Sequence, residues 1–144
     1  NDVDLFIFLC YTFLKGIERQ IGIDRGGIRM QEVITKLKLL GQMPDAVEDD
    51  PTEETINLYD ELLSNVKTPL TKEEVKVLID IFPEGGMYGV EWDLLKLVES
   101  YLSESPSNDE YRKLIAACPS KEWRETMQAR LDNWEKRVTH NKTK

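Results

Sequence analysis

Apolar residues recur at the spacing of an α-helix through most of the chain, and this periodicity constrains the fold more than any other feature. The pattern i, i+3, i+4, i+7 places apolar side chains on one face of a helix. No segment shows the sustained alternation of a half-buried strand, so the sequence predicts an all-α fold. The apolar stripes cover residues 30–37, 59–66, 75–82, 94–101, 111–118 and 123–138.

The spacing of these stripes suggests stacked helix pairs. They begin at 59, 75, 94, 111 and about 127, so two helices occupy about 33 to 36 residues, which is close to the period of helix-hairpin repeats. The tetratricopeptide pattern W-x-x-L-G-x-x-Y does not occur. We expect one domain over residues 1–144, with six or seven antiparallel helices in a bundle or a short helical-repeat array of the HEAT or tetratricopeptide kind, and a flexible tail from about residue 139.

The N-terminal run LFIFLCYTFL is too short to span a bilayer. It predicts a first helix that is among the most buried, and no membrane partner. Its expected core residues are Leu5, Phe6, Phe8, Leu9, Phe13 and Leu14.

Capping residues mark where several helices begin. Thr71 with Glu74 forms the pattern of a capping box, and Leu70 with Val75 forms that of a hydrophobic staple. Three further helix starts are predicted: Asp50 as a cap before Pro51 and Glu53, Ser107 as a cap before Glu110, and Ser120 as a cap.

The charge balance favours some partners over others. The chain has 144 residues, 27 acidic and 19 basic, and a net charge of −8. Binding to nucleic acid needs a basic surface, so this partner is disfavoured. An acidic surface suits a basic protein partner, although solubility alone also explains it. Cys10 and Cys118 lie far apart and read as small buried hydrophobes, which fits a reducing, cytoplasmic location.

The sequence has few residues suited to catalysis. His140 is its only histidine and lies near the C-terminus. Glycine-rich phosphate loops, nucleophile elbows and Cys/His zinc patterns do not occur. We therefore predict a protein that is not an enzyme and uses no metal or cofactor. An enzyme that uses only a pair of carboxylates remains an alternative, with Glu91 as one of the two.

Glu91 and Trp92 stand out in the stretch that joins a helix predicted to end at Phe82 to one predicted to start near Tyr88. At 100° per residue Glu91 projects to the apolar side, and Trp92 projects toward Glu99 on the polar side. Glu91 is either a carboxylate that satisfies the helix start or a functional acid. Trp92 either packs on a neighbouring helix or is an exposed anchor for a partner, with Glu99 beside it.

Residues 45–54 form an acidic cluster without a basic residue. It is either a solvated loop with helix-start charges or a docking surface for a basic protein. Its spacing does not match the calcium-binding loop. The candidate contact residues are Asp45, Glu48, Asp49, Asp50, Glu53 and Glu54.

The segment FPEGGMYGVEWDLLKLVES, residues 82–100, resembles a pattern found in acidic immunity proteins of bacterial toxin systems. The pattern is approximately F-P-x(4)-Y-G-x-x-W-x-L-L-x-x-[IV]-E-[ST], and it is matched by Phe82, Pro83, Tyr88, Gly89, Trp92, Leu94, Leu95, Val98, Glu99 and Ser100. The resemblance implies a small cytoplasmic protein that binds and blocks a cognate toxin. It assigns no individual binding residue.

These observations favour a non-catalytic protein-binding module, in its specific form an immunity protein for a basic, nuclease-type toxin. A helical-repeat adaptor or regulatory subunit with a peptide groove is the second interpretation, and a carboxylate enzyme is the third.

Overall fold

The computed structural model describes residues 30–103, 105 and 107–142, and this part of the chain is helical without strands. Its six α-helices confirm the predicted all-α class. The first predicted helix, with its core residues and Cys10, lies outside the described residues. The helices are α1 (Glu32–Leu40), α2 (Glu53–Ser64), α3 (Lys72–Asp80), α4 (Val90–Ser100), α5 (Asn108–Ala116) and α6 (Lys121–Lys142), with a 3-10 turn at Tyr101–Ser103.

The predicted caps of three helices are confirmed. Thr71 and Glu74 exchange both hydrogen bonds of a capping box at α3. The hydroxyl of Ser107 accepts from the N–H of Glu110 at 3.1 Å. The hydroxyl of Ser120 accepts from the N–H of Trp123 at 3.4 Å. In each case a side-chain oxygen satisfies an N–H group that the first helical turn leaves without a backbone partner.

The predicted start of α2 is wrong. Thr52, not Asp50, is the N-cap, and its hydroxyl accepts from the N–H of Thr55. Asp50 has a positive φ of 44°. The helix begins at Glu53, so Pro51 precedes it instead of opening it. Threonine is nearly as good a cap as aspartate, so the local sequence offered two competing starts.

The ends of two other helices also differ from the prediction. α3 ends at Asp80, so Phe82 lies beyond it, and α4 begins at Val90 instead of near Tyr88. Residues 81–89 form the segment between the two helices, which we call the connector. At the other end of the chain, α6 continues to Lys142 and includes the residues predicted as a tail.

Alternate helices pack side by side and run in the same direction. α1 lies beside α3, and α3 lies beside α5, with starts near starts and ends near ends. The contacts that define these directions are Gln31 N to Glu74 Oε2 (2.9 Å), Met43 N to Ile81 O (2.9 Å), Lys72 Nζ to Glu110 Oε1 (3.1 Å) and Cys118 Sγ to Ile79 O (3.7 Å). Consecutive helices therefore turn back on one another, as in stacked hairpins, the arrangement that the stripe spacing allowed alongside a plain bundle.

The even-numbered helices complete a second layer, since α2 packs on α4 and α6 packs on α5. The core between the layers includes the predicted stripe residues of α3, α4 and α5, and Cys118 is buried with them as predicted. The stripe of α6 is buried only as far as Leu131, because Trp134 and Val138 are partly exposed.

Candidate protein-binding surface

The connector is held in place by hydrogen bonds to its backbone carbonyls. On one side, the N–H of Met43 donates to Ile81 at 2.9 Å and the N–H of Ala46 donates to Gly86 at 2.8 Å. On the other side, Ser120 donates to the carbonyl of Glu84 at 3.2 Å, and the indole of Trp123 donates to that of Gly85 at 2.7 Å. A loop whose backbone groups are satisfied in this way presents its side chains in a defined arrangement.

Glu91 ties the connector to the start of α4. Only 6% of the residue is exposed, and its Oε2 accepts from the N–H groups of Met87 at 2.7 Å and Gly89 at 3.1 Å. The carboxylate therefore satisfies the backbone at the entry to its own helix, which matches the structural interpretation of this residue. A Cβ at Gly86 would lie 3.3 Å from Glu91 Oε1, so glycine leaves room for the carboxylate.

Trp92 both packs on a neighbouring helix and remains accessible. Its ring meets Trp123 of α6 edge to face, with centroids 5.1 Å apart and an interplanar angle of 80°. Trp123 in turn stacks on buried Phe82 at 5.3 Å. Trp92 nevertheless remains 49% exposed. An aromatic ring fixed from behind loses little conformational freedom when a partner covers it, which suits a binding anchor.

Tyr88 is a further exposed aromatic residue that the sequence reasoning did not select as a contact. It is 65% exposed, and its φ of 53° is unusual for a residue with a side chain. Such backbone conformations persist where the surrounding structure imposes them. The signal in the sequence was its place beside Gly89, outside the apolar stripe of α4, but only the fold shows that its ring is left accessible.

The acidic cluster divides into residues that shape the loop and residues that face solvent. Asp49 accepts from the N–H of Asp45 at 2.8 Å, and Asp45 accepts from the N–H of Val47 at 2.9 Å. Glu48, Asp50, Glu53 and Glu54 are exposed. Val47 lies in the turn of this cluster, residues 45–50, which we call the acidic loop. It is 84% exposed, a second contact candidate that the sequence reasoning missed.

The structure brings the acidic cluster and the connector together. The hydrogen bond from Ala46 to Gly86 lies one residue from Val47 and two residues from Tyr88. Consecutive Cα atoms are 3.8 Å apart, so the backbone at Val47 and the backbone at Tyr88 lie in the same region of the surface. Trp92 joins the same region through Trp123, whose indole is bonded to the connector.

Glu99, the remaining predicted contact residue, lies further along α4. It is seven residues beyond Trp92 on α4, about 10 Å along the helix axis. Its two carboxylate oxygens accept from Arg130 of α6, both at 2.8 Å. Glu99 is therefore engaged within the chain, on the same face of α4 as Trp92 and two turns further along.

The described residues contain no group of three or more histidine, cysteine, aspartate or glutamate side chains that could hold a metal ion. Among these residues, no helix combines the length and the apolar character that crossing a membrane requires. Comparisons with protein-family models, curated proteins and solved structures found no significant match to this chain.

Proposed function

We propose that this chain is a non-catalytic module that binds a basic protein partner through the surface around the connector. This connector surface combines three exposed apolar or aromatic residues, Val47, Tyr88 and Trp92, with exposed carboxylates of the acidic cluster, Glu48, Asp50, Glu53 and Glu54. The exposed Trp92, fixed against Trp123, is the observation that carries the proposal.

Large aromatic side chains at the centre of an interface contribute most of its binding energy, while charges at the rim mainly speed association and exclude wrong partners. The connector surface offers both kinds of residue. Its carboxylates are part of a chain with net charge −8. Such a negative charge attracts a cationic partner from solution.

In its specific form, we propose an immunity protein that occludes a cognate toxin. The resemblance to toxin-system immunity proteins covers residues 82–100, and these residues supply Tyr88 and Trp92 of the connector surface. A toxin that cleaves nucleic acid carries a basic substrate-binding surface, which an acidic protein can cover. The proposal includes a cytoplasmic location, where such a toxin would meet its substrate.

A matched pair of tryptophan variants tests this proposal. The probe is the toxin domain encoded next to this gene, and its affinity is measured by calorimetry. We expect Trp92→Ala to weaken binding at least about 30-fold, since central aromatic anchors are worth about 2 kcal/mol or more. Trp134→Ala, on α6 eleven residues beyond Trp123, should leave binding unchanged.

Two results would count against the proposal. One is a gene neighbourhood without a toxin, together with purification from the native organism that recovers no protein partner. The other is a folded Trp92→Ala variant that binds the toxin as tightly as the parent chain.

The adaptor interpretation has one supporting observation. A groove of about 310 Å³ between α3 and α5 is lined by apolar residues such as Leu114, by the ion pair of Lys72 with Glu110, and by further charged side chains. These are Lys76, Lys113 and Asp80, so the lysines exceed the carboxylates by one. Such a groove suits an acidic peptide. Lys76→Gln with Lys113→Gln would abolish partner binding under this interpretation and leave it intact under the first.

A further inference from the structure

A second groove lies at the opposite end of α4 from the connector. It has a volume of about 830 Å³ and runs between the 3-10 turn Tyr101–Ser103 and the second half of α6. Leu102 and Trp134 supply its apolar wall, and Trp134 is 36% exposed. We call it the α6 groove. It leaves an aromatic ring and an aliphatic side chain open to a ligand.

The α6 groove is basic, in contrast to the chain as a whole. Arg130 is neutralised by its two hydrogen bonds to Glu99. Lys136 and Arg137 also line the groove, and neither takes part in a salt bridge among the described residues. The charged residues of the groove therefore leave two positive charges in a chain whose net charge is −8. The matching occupant is a segment with an exposed apolar side chain beside carboxylates.

The chain itself carries such a segment. Val47 is 84% exposed at the tip of the acidic loop, and Glu48 follows it. This loop is bonded to the connector through Ala46 and Gly86, near the start of α4, whereas the α6 groove lies at the end of α4. The loop therefore cannot enter the groove of its own chain.

We propose that the α6 groove binds the acidic loop of a second copy of this chain, with Val47 on Trp134 and Leu102, and Glu48 facing Lys136 and Arg137. The contact joins two different surfaces, so it propagates from copy to copy or closes into a ring. It uses residues of the connector surface, so self-association and binding of a basic partner exclude each other, if that partner binds as proposed above.

Two half-site variants of the full chain test this contact. Val47→Ser with Glu48→Gln disables the loop and leaves the groove intact. Lys136→Gln with Arg137→Gln disables the groove and leaves the loop intact. All four side chains are exposed, so both variants should fold, and circular dichroism checks this.

Sedimentation velocity of the chain alone gives the readout. Two acidic chains repel each other, so we expect weak association, with a dissociation constant on the order of 10⁻⁴ M. The mean mass of the parent chain should rise between about 10 µM and 1 mM, a range that brackets this constant. Each half-site variant should stay monomeric. An equimolar mixture of the two should form a complex of two chains and stop there, because only one groove and one loop remain.

Matched controls separate the contact from net charge. Lys96→Gln with Lys121→Gln removes two exposed positive charges outside the groove, and Glu61→Gln removes an exposed negative charge outside the loop. Both should self-associate like the parent chain.

A parent chain that stays monomeric throughout this range would overturn the proposal and leave an acidic segment of a different protein as the occupant of the groove. Half-site variants that still associate, or a mixture that stays monomeric while the parent associates, would also overturn it. None of these results depends on the toxin partner.

Discussion

Helices α4 and α6 contact each other at two places, and the two contacts differ in chemistry and in burial. At the connector end, Trp92 meets Trp123, and at the groove end, Glu99 meets Arg130. Each pair is seven residues from the other on both helices, so the helices run in the same direction. The two contacts differ in how far they are exposed to solvent.

At the connector end the contact rests on buried groups. Phe82 stacks behind Trp123, the hydrogen bond from Met87 to Glu91 is buried, and the bond from Trp123 to the carbonyl of Gly85 is partly buried. Breaking the buried bond to Glu91 leaves a polar group with little access to water that could replace its partner. At the groove end the ion pair faces solvent, which competes for both charges. We therefore expect substitutions at the connector end to cost stability and those at the groove end to affect mainly association.

The largest effect is expected from Glu91→Ala. It leaves the N–H groups of Met87 and Gly89 without their acceptor, so we expect a loss of about 2–4 kcal/mol in the free energy of unfolding, measured by urea denaturation. Glu91→Gln keeps one acceptor oxygen and should lose about half as much. Equal losses for the two variants would show that the hydrogen bonds are not the source of the stability.

Trp92→Ala should have a moderate effect on stability, about 1–2 kcal/mol, because it removes an edge-to-face contact but not a fully buried ring. Trp92→Phe retains an aromatic ring and should lose less. Thermal denaturation of the two variants and the parent chain checks this. A loss above about 4 kcal/mol would place Trp92 in the core and disqualify it as an accessible anchor.

A buried tyrosine near Glu99 should make the stability of the chain fall at alkaline pH. Burial raises the pKa of the Tyr111 phenol well above its ordinary value, and nearby Glu99 raises it further. The folded chain therefore keeps this proton after the unfolded chain has released it, so stability falls as the pH rises above about 10.

Because of Tyr111, the free energy of unfolding at pH 11 should be about 1.4 kcal/mol lower than at neutral pH. Urea denaturation across this range should show a shallower loss for Tyr111→Phe than for the parent chain. Tyr88→Phe, which removes an exposed hydroxyl, controls for the substitution itself. Parallel pH profiles for Tyr111→Phe and the parent chain would contradict the assignment of the alkaline loss of stability to Tyr111.

The smallest effect is expected from Glu99→Gln. Its ion pair with Arg130 is exposed, so we expect a loss below about 1 kcal/mol that shrinks further in high salt. Denaturation at low and high salt measures this difference. A loss as large as that of Glu91→Ala would remove the contrast between the two ends.

The helices and their caps were largely predictable because they depend on residues close together in the chain. Apolar periodicity located all six helices of the described region, and Thr71, Ser107 and Ser120 cap the helices that follow them. The errors occurred where two local signals competed. Thr52 replaced Asp50 as the cap of α2, and Phe82, part of the apolar stripe, lies beyond the end of α3.

The candidate surface was only partly predictable. The apolar direction of Glu91 and the outward direction of Trp92 follow from helical geometry. The exposure of Val47 and Tyr88 does not, because both residues are apolar or aromatic and their polar or glycine neighbours do not decide whether the fold covers them. Nor does the sequence separate Asp45 and Asp49, which bond to the loop backbone, from the exposed Glu48.

The sequence by itself determined the helical class, the starts of three of the six described helices and the acidic character, since these depend on local propensity and composition. The tertiary structure decided which residues meet: Trp92 with Trp123, Glu99 with Arg130, and the acidic loop with the connector. These partners lie 31 to 40 residues apart in the chain. Their meeting depends on how the helices stack, a cooperative outcome of packing the whole core that no single segment encodes.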